Sequence, residues 1–470
     1  MRRIGQTIAA TVALSICVSA AAQASQVALS VAMSNPVLKS DEKQSAFLKV
    51  GLNGFKMPVT SRRAPVNVAL VLDKSGSMNG RKIAEAKQAA IQAVRRLNAD
   101  DIVSVVVYDS TVEVLVPSTK LVDKDAVCRK ISQVQPGGRT ALFAGVSKAA
   151  AELRKLIDRE HVNRIVLLSD GMANVGPSAP SELGSLGASL KKENISVTAM
   201  GLGLDYNEDL MVNLASNSGG NHVFIEDETQ IAALFNKEFN TVLSVVAQEV
   251  AITIEVAKGV RPVRVFGNQA EINGQKVVAT LTQLYSEQEK FLVLEVDVPA
   301  SPEGKPRDIA QVSVDYDNML TLASDRLSGK ASVNFSSSDK VIASSVNTKV
   351  LEAGVLLFAN ERNKAATILR DKGDIKAARQ LLIRNAEYLK KYATNLGSVE
   401  LDAACNLNTI QSKNLDGVLW GRSRKAMVLE QYRADTQQSY GAVDLKPSIP
   451  KQRAAQSSES KAAPKKAAKQ

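Results

Sequence analysis

In the run VALVLDKSGSMNG, residues 68–80, one carboxylate and two hydroxyls (Asp73, Ser75 and Ser77) stand at alternate positions just past an apolar, strand-like stretch. Residues two apart beyond a strand end can turn the same way, so their oxygens can converge on one point. Two more oxygen-bearing residues have similar settings: Thr140 follows a glycine turn in PGGRTAL, and Asp170 ends the apolar run in LLSDG. Two carboxylates and three hydroxyls make an all-oxygen set suited to a hard divalent cation, Mg2+ foremost, with Mn2+ or Ca2+ as alternatives. Because hydroxyls are neutral, the ion keeps net positive charge and favours an incoming carboxylate as a further ligand.

Other chemistries fit less well. His161 and His222 are the only histidines in 470 residues, which weighs against zinc sites and against Ser-His or Cys-His catalysis. Taken singly, Ser75 or Ser77 could simply cap the helix expected from Arg81. A phosphoryl-accepting Asp73 would need a second aspartate two residues on, where Ser75 stands. Neither G-x-x-x-x-G-K-[ST] nor G-x-G-x-x-G opens a helix, and Gly201-Leu202-Gly203 reads as a close-packed strand end.

The elements that must position these residues are legible as alternating patterns. Short β-branched runs at 66–73, 101–110, 164–171, 196–203 and 222–227 alternate with stretches of helical spacing. Ile83, Ala86, Ala90, Val94 and Leu97 share one face; so do Leu142, Val146, Ala149, Leu153 and Leu156. Residues 111–118 read as an antiparallel edge strand. Such alternation predicts a doubly wound, Rossmann-like α/β domain, whose ligands bind beyond the carboxyl ends of the strands.

On both sides of this unit the period changes to two. Strands are expected at 25–34 and 45–53 before it, and at 249–256, 263–267, 276–284, 290–300 and 310–317 after it. Two early strands alone are unstable, so they are expected to join the later ones, which makes the α/β domain an insertion in an all-β sandwich. From Val341 the spacing is helical, with a hairpin broken at Lys372-Gly373-Asp374 and further helix around 418–433 that holds the only tryptophan, Trp420. The expected organisation is therefore a leader (1–24), N-terminal sandwich strands (25–63), the α/β domain (64–246), the rest of the sandwich (247–340), a helical region (341–440) and a basic tail (441–470).

Residues 1–24 have a basic head, a short apolar run and Ala22-Gln23-Ala24, the pattern of a secretory signal peptide. Periplasmic localisation is expected, with full secretion or a lipid anchor at Cys17 as alternatives. Cys128 and Cys405 fall in different regions and read as separate buried thiols, with a single long-range bridge between them as the alternative. Of the net charge of +11, a large part lies in residues 446–470, which hold seven Lys or Arg against one Glu. The tail has no aromatics to stack on bases, which argues against specific nucleic-acid binding and leaves two readings, a solubilising end or a weak contact with anionic envelope surfaces.

The five oxygen-bearing residues, in this order and spacing, resemble the metal-ion-dependent adhesion site (MIDAS) of von Willebrand factor A (VWA) domains. That site combines D-x-S-x-S, a threonine after a glycine turn and an aspartate before glycine, here Asp73, Ser75, Ser77, Thr140 and Asp170. The resemblance covers about residues 64–246. It implies that the serines and the threonine bind the ion directly or through water, the aspartates mainly through water, and that a partner's Glu or Asp completes the shell. The wider layout resembles exported bacterial members related in plan to inter-alpha-trypsin inhibitor heavy chains. Arg139 departs from the small polar residue common at its position, and Met172 from a polar one. The function expected is non-enzymatic, metal-dependent protein binding. The alternatives are a metal-dependent phosphatase or hydrolase, and a structural envelope protein with a vestigial metal site.

Overall fold

The structure, a computed structural model, describes residues 27–57, 63–417 and 420–438. The leader at 1–24 and the tail at 441–470 lie outside the described residues.

Three strands open the chain: β1 (Ala28–Met33), β2 (Val37–Lys39) and β3 (Gln44–Asn53). The α/β unit follows. Its first half holds β4 (Val66–Asp73), α1 (Arg81–Arg96), β5 (Ile102–Tyr108), β6 (Val112–Lys120), α2 (Lys124–Ser132) and α3 (Leu142–Arg154). Its second half holds β7 (Val162–Ser169), α4 (Pro180–Lys192), β8 (Ile195–Leu202), α5 (Glu208–Ser218), β9 (His222–Ile225) and α6 (Ile231–Val242). The sheet order is β6-β5-β4-β7-β8-β9, parallel except for the antiparallel edge strand β6. All eight residues of β4 are buried, because a central parallel strand is covered on both faces and cannot alternate. Ala69, Val71, Ile165 and Leu167 pack with α3, α4 and α5. The buried stripe of α1, including Ile83, Ala86, Ala90 and Val94, lies on a helix that packs against α6. Leu156 does not share the α3 stripe: the helix ends at Arg154, and Leu156 is 40% exposed.

After α6 the chain enters β10 (Val245–Val256), followed by β11 (Arg261–Phe266), β12 (Ala270–Asn273), β13 (Lys276–Tyr285), β14 (Glu289–Val298), β15 (Arg307–Asn318) and β16 (Ala323–Ser336). These form two sheets, β1-β3-β14-β11 and β12-β13-β10-β15-β16-β2. The early strands are shared between them. β3 pairs antiparallel with β14 from Gln44↔Val298 to Asn53↔Glu289, and β2 runs parallel to β16. The α/β unit therefore sits between strands of one sandwich, whose core joins Leu48, Val50 and Leu52 to Ile252, Leu292, Leu294 and Val312. The strand β16, rich in serine and exposed along much of its first half, is not signalled by apolar alternation.

The last part is helical: α7 (Asp339–Ser345), α8 (Thr348–Asp371), α9 (Ile375–Leu396), α10 (Val399–Lys413) and α11 (Trp420–Thr436). Asp374 caps α9 by accepting a hydrogen bond from the Ala377 amide. Trp420 is half-buried and packs against the cluster of Leu415 and Met427. Helix α11 returns to the α/β unit, where Leu429 and Tyr432 join its core. Cys128 and Cys405 are unpaired, buried thiols. Among the described residues no single helix is long and apolar enough to cross a membrane; the pair α7 and α8 passes by length and composition but is bent by 78°.

Candidate metal centre

The five oxygen-bearing residues come together at the carboxyl ends of β4 and β7. Asp73, the last residue of β4, is fully buried, and its Oδ1 accepts a hydrogen bond from the Ser75 amide at 2.8 Å. A short 3-10 turn over Gly76–Met78 then brings Ser75 Oγ to 3.1 Å from Ser77 Oγ. Ser77 Oγ donates to Asp170 Oδ1 at 2.7 Å. Across the site, a Cβ placed on Gly171 would lie 2.9 Å from Thr140 Oγ1, so glycine leaves room for that hydroxyl, and 3.6 Å from Ser77 Oγ, which is ordinary contact. Neither serine caps α1, whose N-cap is Gly80 without a side-chain bond. Thr140 is likewise outside the cap of α3, which is Ala141, and among the described residues its Oγ1 has no hydrogen bond.

Three loops hold this geometry through backbone bonds. The Gly76 amide donates to Gly138 O at 3.0 Å and the Gly137 amide to Lys74 O at 2.7 Å, locking the first loop to the glycine turn. Ala141 N donates to Asp109 O at 2.8 Å, tying that turn to the end of β5. Gly138 takes φ +76° against Asp109, a conformation and an approach that suit glycine. Asn174 closes the ring: its Oδ1 accepts from Thr140 N at 2.8 Å and its amide donates to Thr140 O at 3.1 Å.

The site's electrostatics favour a cation. Burial pushes the Asp73 carboxyl up to about 6; hydrogen bonds from Ser169 and Ser75 pull it down, and the charge of Asp170 adds to the rise. Two buried carboxylates near one another are costly unless a positive charge compensates them. Part of that compensation is Lys82, in the first turn of α1, whose ammonium pairs with Asp170 Oδ2. Arg139 is exposed and donates to Asn174 O at 2.9 Å. The residues present fit a hard divalent ion: converging oxygens, an unbonded threonine hydroxyl and a glycine cradle. Among the described residues no group of three His, Cys, Asp or Glu forms a rival metal site.

Four contributors were not signalled as such by the sequence. Ser169 Oγ donates to Asp73 Oδ2, Tyr108 OH approaches the same oxygen at 3.4 Å, Asn174 positions Thr140, and Lys82 neutralises Asp170. Ser169 could have been found from its place beside Asp170; the other three depend on which loops meet. His222 takes no part. It lies buried at the start of β9 with Nδ1 3.1 Å from Ala199 O, so neither serine has it as a base.

A doubly wound α/β domain with this all-oxygen constellation at its strand ends defines a class, and residues 67–237 match the model of the von Willebrand factor type A domain. The chain thus contains a VWA domain, carried between strands of a β-sandwich and followed by helices. An uncharacterized protein of Synechocystis sp., sll0103, is 28% identical over 268 residues, 55% of this chain and 63% of that protein. Inter-alpha-trypsin inhibitor heavy chain H2 of Mus musculus is 29% identical over 40% of this chain and 21% of its own length. The matched stretch thus spans less than two thirds of either relative. Among solved structures, a von Willebrand factor type A protein from Catenulispora acidiphila superposes over 88% of this chain and 97% of its own, with TM-score 0.65 and 15% identity. The ArnB paralog VWA2 from Sulfolobus acidocaldarius covers 86% of this chain and 98% of its own, with TM-score 0.58 and 18% identity. These two likenesses extend the shared fold well beyond the VWA domain.

Proposed function

We propose that this is an exported, metal-dependent binding protein of the bacterial envelope. Asp73, Ser75, Ser77, Thr140 and Asp170 hold a divalent ion, Mg2+ foremost, and the ion takes an Asp or Glu carboxylate from a partner protein. The observation that carries this reading is the convergence of three neutral hydroxyls and two buried carboxylates on one point at the strand ends, with Thr140 Oγ1 left unbonded. A set so poor in negative charge leaves the ion electrophilic, which is what a carboxylate ligand requires. Met172, two residues past Asp170 and 62% exposed, adds an apolar contact at the rim. Binding rather than catalysis is favoured because no histidine base accompanies the serines. The leader-like residues 1–24 support export to the periplasm, and the basic tail supports a secondary contact with anionic envelope surfaces.

The test is a pull-down from envelope extract with the wild-type chain in Mg2+, the same chain in chelator, and Asp73→Ala in Mg2+. Partners recovered only in the first condition, and lost when their own acidic residue is neutralised, support the proposal. The same partners in all three conditions contradict it.

A further inference from the structure

At the edge of the α/β sheet opposite the metal centre, where the parallel strands begin, a small cleft opens to solvent between three parts of the molecule. It is lined by Lys191 at the end of α4, Gly219 and Gly220 before β9, Thr282 and Lys290 of the sandwich, and Tyr432 of α11. No carboxylate lines it among the described residues. Lys290 is only 8% exposed, yet among those residues its ammonium has no hydrogen bond or ion pair and rests 5.0 Å from the centroid of the Tyr285 ring. Burial pushes it down to about 7, and the neighbouring charges of Arg164 and Lys191 push the same way. Among the described residues Lys191 donates only to a carbonyl, Thr280 O, at 3.3 Å.

Arg164 also approaches Tyr285: it is fully buried, with its guanidinium 5.9 Å from the same ring. It donates to Thr198 Oγ1, Gln283 Oε1 and Tyr285 OH, all neutral, and its Nε has no partner. Among the described residues no carboxylate pairs directly with Lys290, Lys191 or Arg164; Glu238 and Asp435 reach this region only through their charge at Tyr432. Lys290 and Arg164 are buried, an arrangement that is costly unless something negative completes it. Carbonyls at the end of α5 do not serve. Ala215 O accepts from the Gly220 amide, Ser218 O from Thr282 Oγ1, and Gly220 O from Tyr432 OH.

We infer that this cleft binds a phosphate-class dianion, free or carried on a small phosphomonoester, between Lys290 and Lys191. Two lysines at the cleft and a guanidinium behind them balance two negative charges better than one. Lysine is also a common point-charge partner of phosphate. The bound anion bridges the VWA domain and the sandwich at the face covered by α11.

The test is thermal melting of the full chain in chelator, so that the metal centre does not contribute, with inorganic phosphate, glycerol phosphate or acetate at matched ionic strength. Phosphate is expected to raise Tm saturably and acetate not to. Lys290→Met should weaken phosphate binding by about tenfold or more. In phosphate-free buffer the same variant should melt above wild type, because an unpaired buried ammonium has gone. Tighter binding of glycerol phosphate than of inorganic phosphate identifies a phosphomonoester site; the reverse identifies a free-phosphate site. No phosphate-dependent shift, a shift equal with acetate, or a shift unchanged in Lys290→Met would overturn the inference.

Discussion

Lys82 and Arg139 are two cations near one site, and their geometry gives them different weights. Lys82 pairs directly with the buried Asp170, whereas Arg139 is exposed and spends its guanidinium on Asn174 O. A screened surface charge is worth at most about 1 kcal/mol, so Arg139→Ser should change Mg2+ affinity by less than about fivefold. Lys82→Met removes a positive charge that competes with the ion for Asp170, and should tighten Mg2+ binding by about tenfold. Calorimetric titration of the two variants beside wild type checks both; a larger effect from Arg139 would reverse the ranking. At this scale the five oxygen-bearing residues were legible because their spacing along strand ends is itself the signal. Lys82, Tyr108 and Asn174 were not, because nothing local in the chain says which loop each one meets.

Among the elements, the strands of the α/β sheet were the most legible, since burial on both faces leaves long β-branched runs. The helix α10 and the strand β16 were the least. α10 has no strong apolar stripe, and β16 pairs through its backbone while exposing much of its side-chain surface. Gly201, read as a close-packed strand end, has a definite reason: a Cβ there would lie 2.2 Å from the Tyr206 ring. Gly201→Ala should therefore destabilise by about 1–3 kcal/mol, measured by urea unfolding. His222, at the start of β9, gives a pH signature. Burial pushes it down to about 4 from the ordinary value of 6.5, so between these values the unfolded chain binds the extra proton. Stability from this group is present above pH 6.5 and lost as pH falls towards 4, by up to about 3 kcal/mol. Asp73, raised to about 6, works in the opposite direction over much of that window in chelator. The difference between wild type and His222→Gln isolates the histidine, and wild type should show the steeper acid loss. Equal slopes would contradict that assignment.

Taken whole, the molecule joins its parts through buried charge as well as apolar surface. Arg424 on α11 reaches Glu208 and Asp209 of α5 and Asp371 of α8, while Lys425 beside it pairs with Glu208 and donates to Tyr206 O. Arg424→Ala should cost about 1 kcal/mol, seen as a lower urea midpoint, because it removes ion pairs to two partly exposed aspartates on α5 and α8 while Glu208 keeps Lys425. The sharing of strands between early and late sequence followed from the instability of two isolated strands. The docking of α11 on the VWA domain did not, since Tyr432, Arg424 and Lys425 read simply as helix residues. The proposed binding function rests on the strand-end site holding an ion. The most direct measurement is calorimetric titration of Mg2+ into the wild-type chain, Asp73→Ala and the pair Ser75→Ala with Ser77→Ala, each checked for fold by circular dichroism. Saturable binding of one ion by wild type, abolished in both variants with the fold intact, is the predicted result. No binding by wild type at millimolar Mg2+ or Mn2+, or binding unchanged in the variants, would contradict it.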